Sequence, residues 1–350
     1  MNYLSSVTTP FIRDAKITVE SRWLTGIEFC WGYEDRPLFQ ILRSLEIQDA
    51  VKWTDRFSEL EALACETAFC RAIENAHSIH VSKKVQMIRE FLLTFQRMQW
   101  GFQLLTNTFG CLGDKAMYES SVLLAESLRD WLEVTTGHRV LPQFLKVGGI
   151  RREFSLGELV KLGAFFSEFF PRAEQLLTDI EKDVILWERL SGLLRISCET
   201  CNQIFVMGPF VCQFGQTSDA LHRIHSVIAM IRSSFKELLA LHKALTLESR
   251  VESAELHSVD WPKSTVRGGA FGSSGWIEIE VSADVVRISS PSTRMRNQLE
   301  ELVKGIIVND LSLALVTLGF SLQEAELVNS KNQDIGDTLS KEYQSVGNQR

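Results

Sequence analysis

The strongest hydrophobic pattern of this chain lies between Asp55 and Tyr118. In its second half, apolar residues recur every three or four positions with charged residues between them, at Val85, Ile88, Leu92, Phe95, Met98 and Phe102. This period predicts amphipathic helices whose apolar faces must be covered by partner helices. We expect two helices here, divided near residues 77–82, with Ser82 as the N-cap of the second.

Weaker patterns predict the remaining elements. Alternation within 12–36 indicates one or two strands, and the run WIEIEV (Trp276–Val281) followed by VVRIS indicates a hairpin. Ser155 and Glu158 form a capping-box pattern, and Gly137 ends a helix. Helical stretches are predicted at 37–51, 118–136, 155–170, 171–190, 196–205, 217–246 and 294–317. A polar, disordered tail is expected after about residue 328.

These elements predict a mainly α fold of the α+β type. It is a helical bundle with small β portions near the N-terminus and around 265–290. The expected organisation is an N-terminal β/helix segment (1–54), a helical core (55–247), a β hairpin plus C-terminal helix completing the same domain (248–328), and the tail (329–350).

Charge and composition exclude several classes of protein. The net charge of −7 argues against sequence-independent nucleic-acid binding, which needs a basic surface. The first ten residues are polar, and no run reaches the length of a membrane span. Seven cysteines without framework spacing fit a reducing compartment. We therefore expect a cytoplasmic chain without a membrane span of its own, either free or docked on the cytoplasmic face of the inner membrane through other subunits.

Three residue pairs have spacings that metal or redox chemistry uses. Cys198 and Cys201 form a lone CxxC, and two histidine pairs, His77/His80 and His222/His225, have helical spacing. A lone CxxC is a weak signal, and nothing in the sequence brings the histidine pairs together. We interpret all three as core or surface residues. The glycine pairs at 148–149 and 268–269 do not form a phosphate-binding pattern, so nucleotide binding by this chain is not indicated.

Several stretches, in order, resemble the large-subunit family shared by nickel–iron hydrogenases and the quinone-site (49 kDa type) subunit of respiratory complex I. They are ENAHSIHVSKKVQMIREFLLTFQRM (Glu74–Met98), GGIRREF (Gly148–Phe154), GPFVCQFGQTSDAL (Gly208–Leu221), VRGG (Val266–Gly269), SSPST (Ser289–Thr293) and VND (Val308–Asp310). The resemblance runs from about Ile17 to Ala325, and the branch of the formate-hydrogenlyase catalytic subunit is the expected nearest relative. Family positions retained here are Arg151, Arg152, Asp219, Arg267 and Asp310.

The resemblance also implies what is missing. The four cysteines that hold nickel and iron in hydrogenases of this family are replaced by Ser58, Glu61, Ser321 and Glu324. Since those soft metals need thiolates, no nickel–iron site is expected and no metal is assigned. The complex I branch binds quinone in the corresponding space, with a tyrosine at the position of Glu59. That tyrosine and the family's quinone-site histidine motif are absent.

The four replacements leave three interpretations open. Two carboxylates and two hydroxyls would suit a hard cation such as Mg²⁺. Glu61 and Glu324 would otherwise face each other and share a proton. In the third interpretation the site has decayed, and the side chains are solvated or pair with Arg151 or Arg152.

The function implied by the resemblance is that of a hydrogenase-like large subunit without the nickel–iron site. It would belong to a membrane-associated oxidoreductase complex resembling complex I or formate hydrogenlyase. The implied partners are an iron–sulfur small subunit, which would hold the cluster, and antiporter-like membrane subunits. One alternative is an active NADH/quinone-type subunit in which Glu59, Glu61 or Glu324 act as proton donors in a rebuilt quinone cavity. Another is a free-standing scaffold protein.

Overall fold

Twelve α-helices and ten strands occupy the described part of the chain. The computed structural model describes residues 11–31, 38–58, 61–206, 208–210, 217–247, 259–296 and 298–322. The helices are α1 Leu38–Arg43, α2 Ile47–Thr54, α3 Ala62–Ala76, α4 Lys83–Leu112, α5 Lys115–Thr136, α6 Leu156–Lys182, α7 Val184–Leu190, α8 Cys198–Ile204, α9 Ala220–Leu247, α10 Pro291–Arg296, α11 Leu299–Leu302 and α12 Leu311–Val316. The strands are β1 Phe11–Glu20, β2 Trp23–Trp31, β3 Leu145–Lys146, β4 Gly149–Ile150, β5 Ile196–Ser197, β6 Thr217–Ser218, β7 Val266–Phe271, β8 Trp276–Val281, β9 Val286–Ser289 and β10 Ser321–Leu322. The predicted fold class, mainly α with small β portions at 11–31 and 266–289, is confirmed.

Helix α4 is the centre of the bundle. It packs against α3, α5, α9 and α12, and α6 covers α5 and α9. Aromatic side chains join these helices: the Phe102 ring meets Phe169 edge to face at 5.7 Å, and Phe170 stacks on Phe235 at 4.5 Å. The apolar face predicted for the α4 region therefore finds the helical partners that it needs.

The small sheets bring distant parts of the chain together. Strands β1 and β2 form an antiparallel hairpin, and β10 pairs in parallel with β1, with Phe11 opposite Ser321. Strands β7, β8 and β9 form an antiparallel sheet that lies on α3. At Gly268 this contact is so close that an added Cβ would lie 2.1 Å from the carbonyl oxygen of Ala68. The strand can approach the helix backbone only because this position has no side chain.

Several predicted boundaries are found where the sequence indicates them. The break between α3 and α4 lies at 77–82, and Ser82 takes the extended N-cap conformation, although its hydroxyl makes no cap hydrogen bond. Ser155 and Glu158 form both bonds of the capping box. Gly137 ends α5 in the left-handed region, with φ 86°.

The prediction that Pro171 begins a new helix is wrong. Helix α6 continues through Pro171 to Lys182. The lost backbone hydrogen bond is tolerated because Phe169 and Phe170, directly before the proline, are held against Phe235 of α9. The break comes at Asp183, whose carboxylate accepts from the backbone N–H groups of Ile185 and Leu186 and so caps α7.

Other predicted stretches are more broken than expected. The region 294–317 is not one helix but three short helices and a 3₁₀ turn, and 196–205 begins with a strand residue pair. The glycine loop at 147–154 contributes to the small hairpin of β3 and β4. The predicted domain divisions stay predictions, and the expected tail after residue 328 lies outside the described residues.

Candidate functional site

Glu61 is a buried carboxylate that immediately precedes α3. Four described hydrogen bonds reach it. Two of them end at Oε2, donated by Gln96 Nε2 at 3.1 Å and by the Ser273 backbone N–H at 2.7 Å. The other two end at Oε1, donated by the backbone N–H and the hydroxyl of Ser274, both at 2.8 Å. Gln96 also accepts from the backbone N–H of Leu63 at 2.7 Å. Both carboxylate oxygens therefore use two acceptor positions each.

The turn between β7 and β8 supplies most of these donors. It reads Gly272-Ser273-Ser274-Gly275 and is closed by the Gly272 N–H bonding to the Gly275 carbonyl at 3.0 Å. A Cβ at Gly272 would lie 2.7 Å from Glu61 Oε2, so glycine is needed for the carboxylate to enter the turn. Successive backbone N–H groups that point into one concavity bind anions, and here the anion is a side chain of the same protein.

A small cavity adjoins this carboxylate. It has a volume of about 10 Å³, which is room for about one water molecule. Its walls bring together the two stretches in which the resemblance places the metal ligands. Ser58 and Glu61 come from the early stretch, and Gly319 and Phe320 come from the late one. Ligand pockets of proteins measure roughly 300–1,000 Å³, so this cavity has no room for a substrate.

The four hydrogen bonds of the site suit an ionised Glu61, whereas its burial opposes ionisation. Burial raises the pKa of Glu61, and the N–H groups of Ser273 and Ser274 act against that rise. All four described hydrogen bonds are donated to the carboxylate, three by N–H groups and one by the Ser274 hydroxyl, so a bound cation would face donors rather than free oxygen lone pairs. The described contacts therefore leave Glu61 no free lone pair for a hard cation. That interpretation also uses Glu324, which lies outside the described residues, and it stays a prediction. Among the described residues no cluster of three or more His, Cys, Asp or Glu side chains occurs.

The predicted site residues are only partly brought together. Ser58 and Glu61 share the small cavity, and Ser321 lies in β10, directly after Phe320. Glu59 and Glu324 lie outside the described residues. Glu61 is neither solvated nor paired with an arginine in its described contacts: Arg152 instead donates to Glu158 at 2.7 Å. The reason is that the start of α3 faces the β7–β8 turn.

The retained family positions serve mainly in local structure. Asp219 caps α9 by accepting from the His222 N–H at 2.9 Å, and it also accepts from the Gly192 N–H at 2.9 Å. Arg267 pairs with Glu280 at 2.6 Å, and Asp310 with Arg189 at 3.5 Å. Arg151 is exposed, and its charge acts against the rise in the pKa of Glu66 that burial causes.

A buried ion pair within one stretch that carries the resemblance is hydrogen-bonded to a second such stretch. Arg89 donates to both carboxylate oxygens of Glu74, at 2.6 and 2.9 Å. The same arginine donates to the carbonyl of Gly149 at 3.1 Å, and Glu74 accepts from the N–H of Gly148 at 2.8 Å. This pair therefore fastens α3 and α4 to the two-glycine loop. A bidentate pair with additional hydrogen bonds is the arrangement in which a buried charge is tolerated.

Two further buried acids, Glu66 and Asp55, interact electrostatically. Glu66 Oε2 accepts from the backbone N–H groups of Phe144 and Leu145, at 3.2 and 3.1 Å, but its Oε1 has no partner within the described structure. Burial raises the pKa of Glu66 to about 8, and the charge of Asp55 adds to the rise. Asp55 is itself buried, and burial raises its pKa as well.

The cysteine and histidine pairs show no metal arrangement within the described structure. Cys201 is fully buried, and its thiol donates to the carbonyl of Phe210 at 3.0 Å. His77 bonds to the carbonyl of Asp260 at 2.9 Å, and the His225 ring meets Trp187 edge to face.

Sequence reasoning missed Gln96, Ser273 and Ser274. The run GSSG between two alternating stretches was a usable signal, because such a turn leaves backbone N–H groups free to bind an anion. Gln96 had no comparable signal, since it lies among apolar residues of one long helix.

Comparisons with known proteins agree with this framework. Residues 113–224 match the family described as respiratory-chain NADH dehydrogenase, 49 Kd subunit. A subunit of the NADH-quinone oxidoreductase of Phocaeicola vulgatus is 24% identical over 64% of this chain and 43% of its own length. An NADH-quinone oxidoreductase subunit of Opitutus terrae is 27% identical over 55% of this chain and 46% of its length. The chain thus spans about half the length of these relatives.

A solved structure extends the similarity to most of the fold. A chain of the membrane-bound sulfane sulfur reductase, an archaeal respiratory membrane complex, superposes with a TM-score of 0.75 and 16% identity, covering 86% of this chain and 90% of that one. The chain therefore has the fold of the complex I 49 kDa subunit type. The sequence similarity is to 49 Kd subunits of the respiratory-chain NADH dehydrogenase, and the solved structure shows the same fold. The formate-hydrogenlyase branch stays a prediction.

No helix in the described part of the structure combines the length and apolarity that a membrane span requires.

Proposed function

We propose that this chain is a non-catalytic, hydrogenase-like large subunit of a membrane-associated oxidoreductase complex that resembles complex I. The observation that carries the proposal is the Glu61 carboxylate, saturated by four neutral donors where the resemblance places a metal-binding thiolate. An oxygen anion bound in this way has no free lone pair for nickel or iron.

The buried contacts between the stretches that carry the resemblance are present, which supports a role in assembly of a complex over decay of the whole fold. The Glu74–Arg89 pair still holds α3, α4 and the two-glycine loop together, although a buried ion pair is costly unless its groups are satisfied. The partners that the proposal requires are those implied by the resemblance: an iron–sulfur small subunit, which would hold the cluster, and antiporter-like membrane subunits. The names of the relatives and of the solved complex are consistent with such an assembly.

Purification of the tagged chain in mild detergent tests the assembly. We expect an iron–sulfur subunit and membrane subunits among the co-purifying chains, identified by mass spectrometry, and no stoichiometric nickel. Stoichiometric nickel, or recovery of the chain alone from the soluble fraction, would contradict the proposal.

A second experiment separates the structural role from the catalytic alternative. In the catalytic alternative Glu61 donates a proton to quinone, so Glu61→Gln lowers quinone reduction per assembled complex. In the structural role, Glu61→Gln lowers the amount of assembled complex, while turnover per complex stays unchanged. Measuring both quantities on the same preparation, with Glu188→Gln on the exposed face of α7 as control, distinguishes the two. The geometry favours the structural role because the adjoining cavity admits about one water molecule.

A further inference from the structure

A second cavity is lined in part by Gln96, whose side-chain amide donates to Glu61. Its volume is about 320 Å³, within the range of small-molecule sites. Its walls come from the start of α3, from α4 and α5, and from the segment that follows α5. They are Leu63, Gln96, Gln99, Trp100, Gln103, Arg129, Leu132, Val140 and Pro142.

The wall that α4 contributes has an unusual composition for an inward-facing stripe. Gln96, Gln99, Trp100 and Gln103 follow each other at helical spacing on one face. Such a face is normally apolar, and polar groups placed there need hydrogen-bond partners. In the described contacts the Gln96 side chain donates to Glu61 and accepts from the Leu63 N–H, whereas the Gln99 side chain has no hydrogen-bond partner.

Arg129 gives the cavity its charge. Among the described residues that line it, Arg129 is the only charged one. One of its N–H groups donates to Glu126, outside the cavity, and another to the side-chain oxygen of Gln103. A guanidinium has five N–H donors, so three remain in the described contacts. The opposite wall is apolar, with Leu63, Leu132 and Pro142.

We propose that this cavity binds a small amphipathic monocarboxylate. Its carboxylate would accept from Arg129 and the Gln99 amide, because charge-assisted hydrogen bonds from arginine to carboxylate are among the strongest in proteins. Its apolar body would lie against Leu63, Leu132 and the Trp100 ring. This binding function is independent of the assembly proposed above, and it places the ligand one side chain away from Glu61, through Gln96.

Calorimetric titration of the full chain with phenylacetate, benzoate and isovalerate tests the site. Phenylacetamide is the matched control, because it has the shape of phenylacetate without the charge. We expect one-to-one binding of phenylacetate and about tenfold weaker binding of phenylacetamide, the effect of losing a hydrogen bond to a charged group. Equal affinities for acid and amide, or no binding of any of the three acids, would overturn the proposal.

Variants locate the binding within the chain. Arg129→Gln removes the charge and should lower the affinity for phenylacetate about tenfold. Because Arg129 also bonds to Glu126 and Gln103, Val140→Trp serves as a second variant: Val140 is 47% exposed where it borders the cavity, so a larger side chain blocks the cavity without disturbing the core. Arg172→Gln, on the separate groove between α5 and α6, is the control and should bind normally. Unchanged binding by Val140→Trp would place the ligand elsewhere and refute the assignment.

Discussion

Glu61 and Glu66 lie five residues apart around the start of α3, yet their carboxyl groups have opposite surroundings. Glu61 accepts four hydrogen bonds, two on each oxygen. Glu66 accepts two, both on Oε2, and its Oε1 has no partner within the described structure. The first environment suits an ionised carboxylate, and the second suits a protonated acid. The same substitution at the two positions should therefore have opposite effects.

Glu61→Gln should destabilise the protein at pH 7 by about 1–3 kcal/mol, because the new NH₂ group faces N–H donors and leaves at least one of them buried without an acceptor. Urea denaturation followed by circular dichroism measures the change. A stability equal to that of the wild type would mean that Glu61 is protonated at this pH. It would contradict the proposal that an ionised Glu61 accepts the four hydrogen bonds.

Glu66→Gln should stabilise the protein at pH 7–8. The pKa of Glu66 is about 8 when folded, against an ordinary value of 4.5. Between these values the folded state holds a proton that the unfolded state has lost. The stability of the wild type therefore falls as pH rises from about 4.5 to 8, by at most about 1.4 kcal/mol per pH unit from this group.

Glutamine imitates the protonated acid, so this part of the pH dependence should disappear in Glu66→Gln. Denaturation of wild type and variant at pH 5, 6, 7 and 8 tests the difference between them, which removes the contributions of groups that do not interact with Glu66. Asp55 does interact with Glu66, so the difference reports the titration of this pair. Parallel curves for the two proteins would show that Glu66 does not titrate in this range.

Arg89→Met should cost about 3–5 kcal/mol of folding free energy, because it leaves the buried Glu74 carboxylate without its cation. The double variant Glu74→Met/Arg89→Met should recover part of that loss. Recovery stays incomplete because the N–H of Gly148 and the carbonyl of Gly149 also lose their partners. A double-mutant cycle gives the coupling energy, and simple additivity of the two single variants would contradict the ion-pair account.

Gly268→Ala should destabilise the protein, since the new Cβ would lie 2.1 Å from the Ala68 carbonyl oxygen and 2.3 Å from the Ala72 nitrogen. Both are backbone atoms of α3, so the strand and the helix must move apart, at a cost of about 1–3 kcal/mol. Gly157→Ala is the matched control: nothing lies within 4 Å of its Cβ position in the first turn of α6. That control should be neutral or stabilising by up to about 1 kcal/mol. Thermal denaturation should show a lower midpoint for Gly268→Ala and an equal or higher one for Gly157→Ala.

Some of the structure could be derived from local chemistry in the sequence. The long apolar period predicts α3 and α4, and Gly137, Ser155 and Glu158 mark helix ends, because capping depends on residues within one turn of each other. The hairpin of β8 and β9 was likewise visible in its alternation. The helix start predicted at Pro171 was wrong, because packing of Phe170 against Phe235 lets α6 continue through the proline.

The site depended on contacts between residues far apart in the chain. The sequence by itself determined that Ser58 and Glu61 stand where the resemblance places thiolates, which predicts that no nickel–iron site is present. Only the tertiary structure decided what Glu61 does instead, because its donors are Gln96, 35 residues away, and Ser273 and Ser274, 212 and 213 residues away. Whether a buried carboxyl group is solvated, paired with a cation or bound by N–H groups depends on such distant neighbours, since they set both its desolvation and its hydrogen bonds.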